Sequence, residues 1–271
     1  MRIAFVIFKA EPQRGGAERY AIDLATHLSA RGHELAIVST RFGDVGSIRK
    51  VPVRASAVTR TGVYRAFLSR VDDHLHAHTY DIVHTFLPIR TCDVYHAQAG
   101  LETISLATGH AIKSTAVKRT VTRVSHLANR KRKAFADVER HLIEGPRPPI
   151  TIVLSKRERE IALTKFKVDP ARIVALYNGI DTSRFEPNDL AERRRAMRKS
   201  LGIAADRPLA LFIGNDFARK GLDTAIRALA KLPDRHATLL VVGSDAPRST
   251  RSLRPRWAWW GVCCLRAEVI A

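Results

Sequence analysis

Hydrophobic and polar positions alternate in blocks along most of this chain, and the blocks have the lengths of strands and helices. Arg2 to Phe8 is an almost unbroken apolar, β-rich run, as expected for a strand buried on both faces. The loop after it ends in Gly15-Gly16. From Ala17 the apolar residues Ala21, Leu24, Ala25 and Leu28 recur at helical spacing until Gly32, and Glu34 to Thr40 is a second strand. This is a β-loop-α-β unit. After a further helical stretch, Asp81 to Phe86 and Thr91 to His96 are two more short strands, which predicts a doubly wound parallel sheet. Between Lys113 and His141 the residues Val117, Val121, Val124, Leu127, Ala128, Phe135 and Val138, continued by Leu142, form an apolar stripe on one or two helices whose other face is basic.

Gly145-Pro-Arg-Pro-Pro149 interrupts this pattern and predicts a domain boundary, with residues 1–148 forming a first, Rossmann-like domain. The pattern then restarts with a strand at Thr151 to Ser155, a helix from Lys156, a strand at Ile173 to Tyr177 and the turn Asn178-Gly179. A charged helix is predicted at Asp189 to Ser200, a buried strand at Pro208 to Gly214, a helix at Lys220 to Leu232 and a strand at Thr238 to Val242. Residues 149–248 thus read as part of a second Rossmann-like domain. Residues 249–271, including Arg256-Trp-Ala-Trp-Trp-Gly-Val-Cys-Cys264, follow neither period and read as an aberrant tail. A second parallel sheet needs more strands than these, so the expectation is a chain that loses its frame or its end within the second domain.

Composition adds two constraints. Lys plus Arg number 46 against 26 Asp plus Glu, a net charge of +20, which favours anionic partners: nucleic acid, an anionic membrane surface or a phosphorylated small molecule. The three cysteines, Cys92, Cys263 and Cys264, form neither a disulfide framework nor a metal-ligand pattern, which suits a reducing, cytoplasmic compartment. The first apolar run is too short for a signal peptide, and no stretch approaches the ~20 apolar residues of a spanning helix. Membrane association is therefore expected to be peripheral.

Three groups of residues carry the resemblance to a known family: Gly15-Gly16-Ala17-Glu18-Arg19, Asn178-Gly179-Ile180-Asp181, and Asp216-Phe-Ala-Arg219-Lys220-Gly221-Leu222-Asp223. Together they resemble the retaining family 4 glycosyltransferases. Asp93-Val-Tyr-His96, Gly214 to Leu232 and Leu239 to Arg248 are most similar to the lipopolysaccharide core glucosyltransferases within that family. The resemblance implies an α/β protein with two facing Rossmann-like domains (GT-B type), the second incomplete here. It also implies a hexosyltransferase that moves a hexose, expected to be glucose, from a nucleotide sugar to a lipopolysaccharide-core-like or other glycan or glycolipid acceptor, with retention. The first domain would be the acceptor side and the second the donor side. Family members continue beyond this point through an acidic Glu-x7-Glu pair that this sequence lacks, so a weakly active or inactive product is expected.

The physical logic of such a reaction singles out particular residues. A departing nucleoside diphosphate develops negative charge, which calls for fixed cations and backbone donors. Arg219 and Lys220 stand between a strand end and a helix N-terminus, where α/β sheets bind anions, and a solvated pair on an exposed helix is the alternative. Gly15 and Gly16 would let backbone amides approach the phosphates in a tight turn. This loop is not G-x-G-x-x-G, and Ser39-Thr40-Arg41 offers no acid for a ribose, which argues against a nicotinamide enzyme.

His96 ends a strand where the resemblance implies a contact to the transferred sugar, and a structural histidine is the alternative reading. His84, at the end of another strand, reads as a buried structural residue, with a place lining the acceptor side as the alternative. Some core glucosyltransferases carry a carboxylate just past this strand, where Ala99 and Gly100 stand here. His74, His76 and His78 share a helical stretch without a matching acidic or cysteine cluster and read as a solvated face. No Asp-x-Asp motif is present, so no metal and no cofactor are expected beyond the donor substrate, with UDP-glucose the expected donor. The basic segment 113–141 is a candidate contact to the cytoplasmic membrane face. The rival readings are a basic nucleic-acid-binding protein and a non-catalytic membrane-surface protein. Against the first, no aromatic residues are interleaved with the basic ones before the tail, and nucleic acid is not an expected partner.

Overall fold

A computed structural model describes residues 1–105, 122–180, 182, 189–214, 217–232, 237–243, 257–259 and 262–268, without the side chains of 122–131, 218–219, 257–259 and 262–268. They fall into two compact units, Met1–Ile180 and Asp181–Ala271.

The first unit runs β1 (Arg2–Val6), α1 (Gly16–Ala30), β2 (Glu34–Ser39), β3 (Arg49–Pro52), α2 (Arg60–Ala77), β4 (Ile82–Thr85), β5 (Val94–His96), α3 (Thr122–Glu144), β6 (Ile150–Val153), α4 (Lys156–Lys165) and β7 (Ile173–Ala175). All seven strands are parallel, in the order β3-β2-β1-β4-β5-β6-β7. The strand pleat explains why β1 had to be continuously apolar. Ile3 and Phe5 enter one core with Ala21, Ile22 and Ala25 of α1. Val6 points the opposite way, into a second core with Tyr64, Phe67 and Val71 of α2. Strand β2 divides its residues likewise, Ile37 to the first core and Val38 to the second.

The boundary expected at Gly145 to Pro149 is not there. Strands β6 and β7 continue the first sheet, and the division falls after Ile180. The Gly/Pro run is the tight connection from α3 into β6. Such residues mark a change of backbone direction, whether or not a domain ends there. Helix α3 is bound into this unit from both sides. Ala134, Phe135 and Val138 pack on the α2 core, and Leu142 and Ile143 on a third core with Tyr95 and Val153. Phe135 stacks on Tyr64 with ring centroids 3.8 Å apart. Strand β3, too short and too polar to read from sequence, pairs with β2 from Ala36 with Arg49 to Ser39 with Pro52.

The second unit contains α5 (Leu190–Ser200), β8 (Leu209–Ile213), α6 (Phe217–Lys220), α7 (Leu222–Leu229), β9 (Thr238–Gly243), β10 (Trp257–Trp259) and β11 (Val262–Glu268). Its sheet order is β10-β11-β9-β8. Three expectations change here. Strand β8 is not buried: it is an edge strand with Leu211 56% and Ile213 69% exposed. The helix expected over 220–232 is broken at Gly221, whose φ of +82° is left-handed and favours glycine. The tail is not devoid of strands, because β11 pairs antiparallel with β9 from Gly243 with Cys263 to Thr238 with Glu268. Val262 to Leu265 is a short apolar run, and the open side of β9 satisfies its backbone groups.

Candidate functional site

The strand order of the first sheet reverses between β1 and β4, and at such a point the crevice outside the carboxyl ends of the strands is open to a ligand. The loop into α1 leaves from the end of β1. Gly15 caps α1 with extended backbone and no side-chain hydrogen bond, so the first-turn N–H groups are not consumed by a cap. A Cβ at Gly16 would meet nothing within 4 Å, so this position borders open space. A Cβ at Gly15 would come 3.0 Å from Glu18 Oε2. The glycines thus keep the helix end uncluttered, and neither needs a left-handed backbone.

One turn into α1, Tyr20 meets His96 edge-on with ring centroids 5.3 Å apart, which joins the helix end to the end of β5. His96 is buried and lies between Tyr20, His84 and Phe86, with the last two rings each 5.6 Å away. Its Nε2 is 3.0 Å from Gln98 Nε2, while Nδ1 is buried without a partner in the described residues. Burial pushes the His96 ring down to about 4 from an ordinary value of 6.5. His84 is pushed down to about 3, by burial first and then by His96. Both are neutral at pH 7. His84 is buried as expected, and its Nε2 is likewise unpartnered among the described residues.

The loop after β5 is held by two carboxylates from distant helices. Glu158 of α4 accepts from the Leu101 N–H at 3.0 Å and the Leu154 N–H at 3.3 Å, while Ser155 caps α4 by accepting from the Glu158 N–H. Glu139 of α3 is fully buried and accepts from Tyr95 Oη at 2.7 Å, the Glu102 N–H at 3.0 Å and the Thr103 N–H at 2.8 Å. That contact with a buried acceptor, after desolvation, holds the Tyr95 phenol well above its usual range. Gly100, with φ of +80° and only 3.3 Å from Glu158 Oε1 at its would-be Cβ, is dictated by this clamp. A carboxylate at this position would be strained by the backbone and repelled by Glu158. Asp93 is also structural, its Oδ2 accepting from the Val83 N–H at 2.7 Å.

Gln98 reaches across the carboxyl edge to Asn178, just beyond β7. Gln98 Nε2 donates to Asn178 Oδ1 at 2.9 Å, and Asn178 Nδ2 returns a bond to Gln98 Oε1 at 3.3 Å. Tyr20, Gln98, Glu139 and Glu158 were not singled out by sequence reasoning. Their only signals were proximity in sequence to Gly15-Gly16 and His96 for the first two, and the Ser155-x-x-Glu158 capping spacing for the last.

Lys220 belongs to the second unit, at the end of the single-turn α6, and is exposed. A Cβ at Gly214, just past β8, would lie 3.4 Å from Lys220 Cγ, so the missing side chain leaves room for the lysine stem at the strand end. The backbone of Arg219 precedes it in the same turn, and its side chain lies outside the described residues. Gly15, Gly16 and His96 therefore all lie in the first unit, where Tyr20 of α1 links that helix to His96, and Arg219 and Lys220 are neighbours in the second.

The other histidines are occupied locally. His74 Nε2 lies 2.8 Å from Tyr80 Oη, and His76 and His78 contact the backbone carbonyls of Asp72 and His74. An open depression between α4 and β7, lined by Arg159, Pro170 and Val174, contains none of the candidate residues. Much of the basic segment expected at 113–141 lies outside the described residues. Within its described part Arg132 pairs with Glu102 at 3.4 Å, and the Arg140 guanidinium lies 5.8 Å from the Phe166 ring centroid. No helix among the described residues is long and apolar enough to cross a membrane.

Comparison with known proteins decides the family. The model of Glycosyltransferase Family 4 matches residues 14–184, from the α1 loop through the end of the first unit. The chain belongs to glycosyltransferase family 4. Across 260 residues this family member is 30% identical to the lipopolysaccharide glucosyltransferase WaaG of Escherichia coli, covering 93% of this chain and 66% of the relative. A D-inositol 3-phosphate glycosyltransferase of Mycobacterium tuberculosis is 27% identical over 81% of this chain and 47% of its own length. The crystal structure of WaaG superposes with a TM-score of 0.72 at 28% identity, over 91% of this chain and 64% of that one. Anabaena HepE in complex with UDP-glucose shares the fold, with a TM-score of 0.56 at 19% identity over 92% of this chain and 62% of that one. The α/β, GT-B type fold expected from sequence is thus that of the solved relatives. The chain spans about two thirds or less of the length of each protein it matches here.

Proposed function

We propose that this chain carries the substrate-binding machinery of a retaining hexosyltransferase that transfers glucose from UDP-glucose to a glycan or glycolipid acceptor of the lipopolysaccharide-core kind. The observation that carries the reading is that Tyr20, one turn into the uncapped helix α1, meets the buried, neutral His96 at the carboxyl edge of the central strands. An anionic ligand gains there from backbone N–H groups and the helix dipole, and a sugar hydroxyl gains from an imidazole that stays uncharged. The likeness to WaaG, named a lipopolysaccharide glucosyltransferase, and to HepE, solved with UDP-glucose, supports this choice of donor and acceptor class.

In this reading the bond between the anomeric carbon and the diphosphate oxygen breaks, and the acceptor hydroxyl oxygen takes its place on the same face while its proton passes to the departing diphosphate oxygen. Charge developing on the diphosphate calls for N–H donors and fixed cations, and the groups of suitable chemistry are the N–H groups at Gly16 and Ala17 in the first unit and Arg219 and Lys220 in the second. This reading calls for no metal ion and no cofactor beyond the donor, because Arg219 and Lys220 would supply the positive charge. The basic segment 113–141 would hold the protein at an anionic, cytoplasmic membrane surface where a glycolipid acceptor resides.

Calorimetric titration with UDP-glucose and UDP tests this. Both ligands should bind the wild-type chain, and the Arg219→Ala/Lys220→Ala variant should bind at least about a hundredfold more weakly, the loss of two charge-assisted contacts. A folded wild-type chain that releases no heat with either ligand, or a double variant that binds as well as wild type, would overturn the proposal.

A further inference from the structure

Only one side-chain pair in the described part of the site bridges the loops after β5 and β7, and it ends on His96. The Gln98 amide nitrogen has two hydrogens and no acceptor lone pair. One hydrogen goes to Asn178 Oδ1 at 2.9 Å, and the other faces His96 Nε2 at 3.0 Å. The return bond from Asn178 Nδ2 to Gln98 Oε1, at 3.3 Å, holds the Gln98 amide in this orientation. Backbone geometry fixes where Gln98 stands, because its N–H donates to the His96 carbonyl at 2.8 Å and the following residues are clamped by Glu158 and Glu139.

We infer that Gln98 and Asn178 are positioning residues that set the tautomer of His96, leaving Nε2 as an acceptor and the proton on Nδ1. A neutral imidazole has one N–H and one bare nitrogen, and the partner of one nitrogen determines the state of the other. Nδ1–H is then a buried donor that no described protein group satisfies, and such a donor marks where a hydroxyl of ligand or water is needed. The use of this donor by the sugar rests on the proposed donor site, whereas the tautomer itself does not. The sequence interval of 80 residues between Gln98 and Asn178 is closed by the sheet, which puts β5 and β7 on either side of β6. His96 in this scheme binds and orients, and moves no proton.

The test is imidazole nitrogen spectroscopy on the full chain labelled with 15N-histidine, the His96 signals being assigned by their loss in His96→Gln. Wild type should show Nδ1 protonated and Nε2 bare. In Gln98→Glu the carboxylate can only accept, so Nε2 should become the protonated nitrogen. In Asn178→Leu the Gln98 amide is released, and the two nitrogens should move toward averaged positions. Thermal unfolding midpoints recorded alongside show that the fold survives, a readout that a merely structural contact would shift without altering the tautomer. Gln98→Glu should also weaken UDP-glucose binding by about tenfold while Gln98→Asn/Asn178→Gln, which exchanges the two amide lengths, restores part of it. A wild-type ring protonated on Nε2, or a Gln98→Glu ring unchanged from wild type, overturns the inference. The expected tautomers in a chain that binds no UDP-glucose would support the inference and reject the donor-site reading.

Discussion

Both units contain parallel strands joined through helices, all seven strands of the first sheet and the β8-β9 pair of the second, yet their interiors differ. In the first, the central strand β1 feeds two separate cores, and large side chains such as Tyr64, Phe67 and Tyr95 are fully buried. In the second, the described residues make one small cluster around Phe217, Leu222, Leu229, Leu239 and Val241, and the apolar residues Leu211 and Ile213 of β8 face outward. Equal hydrophobicity in sequence therefore produces unequal burial. A strand becomes two-faced core only when other elements cover both of its faces, and in the described residues β8 has that cover on one face.

The strongest way to break this contrast is to remove packing from each side of it. Phe67→Ala, which empties a fully buried ring site, should destabilise the first unit by about 3–5 kcal/mol, read from urea unfolding followed by circular dichroism. A loss under about 1 kcal/mol would mean that the α2 core is far looser than its contacts.

Acid should then separate the units. Because His84 and His96 titrate near 3 and 4 when folded and near 6.5 when unfolded, the unfolded chain binds more protons as pH falls below 6.5. The stability these two neutral rings contribute is fully present above pH 6.5 and is lost downward, through about 4 for His96 and about 3 for His84. Each contributes at most about 1.4 kcal/mol per pH unit in that window. His84 and His96 both lie in the first unit, so the slope they produce belongs to it. Urea midpoints measured from pH 7.5 to 4.5 should fall for wild type and fall less for His96→Gln. Parallel slopes for the two proteins would contradict the buried, neutral ring.

The smallest effect is expected where the second unit is bare. Leu211→Lys, at a side chain more than half exposed, should change stability by no more than about 0.5 kcal/mol. A loss above about 2 kcal/mol would show that this face of β8 is covered after all, and would erase the contrast between the units.

The comparison also shows which parts of the molecule were readable in advance. The β1-α1-β2 unit was plain because its apolar periods are long and its punctuation, Gly15-Gly16 and Gly32, is local. The domain boundary was misplaced because Gly145 and the prolines up to Pro149 report a tight turn, whereas the division depends on which strands pair with which. The tail strand β11 was missed because its short apolar run has no period of its own and is a strand by virtue of β9 beside it.

The sequence by itself pointed to the family and the parallel α/β architecture, and it put Gly15-Gly16 before a helix and His96 at the end of a strand. These follow from short-range pattern: strand and helix periods, a glycine pair before a helix, a histidine at a strand end. Tertiary structure alone decided that His96 is buried and neutral, that Gln98 and Asn178 join behind it, and that Glu139 and Glu158 grip its loop. Those contacts link residues 36 to 80 positions apart. Protonation state depends on desolvation and on the particular partner of each nitrogen, quantities that exist only once the sheet has brought distant segments to one edge.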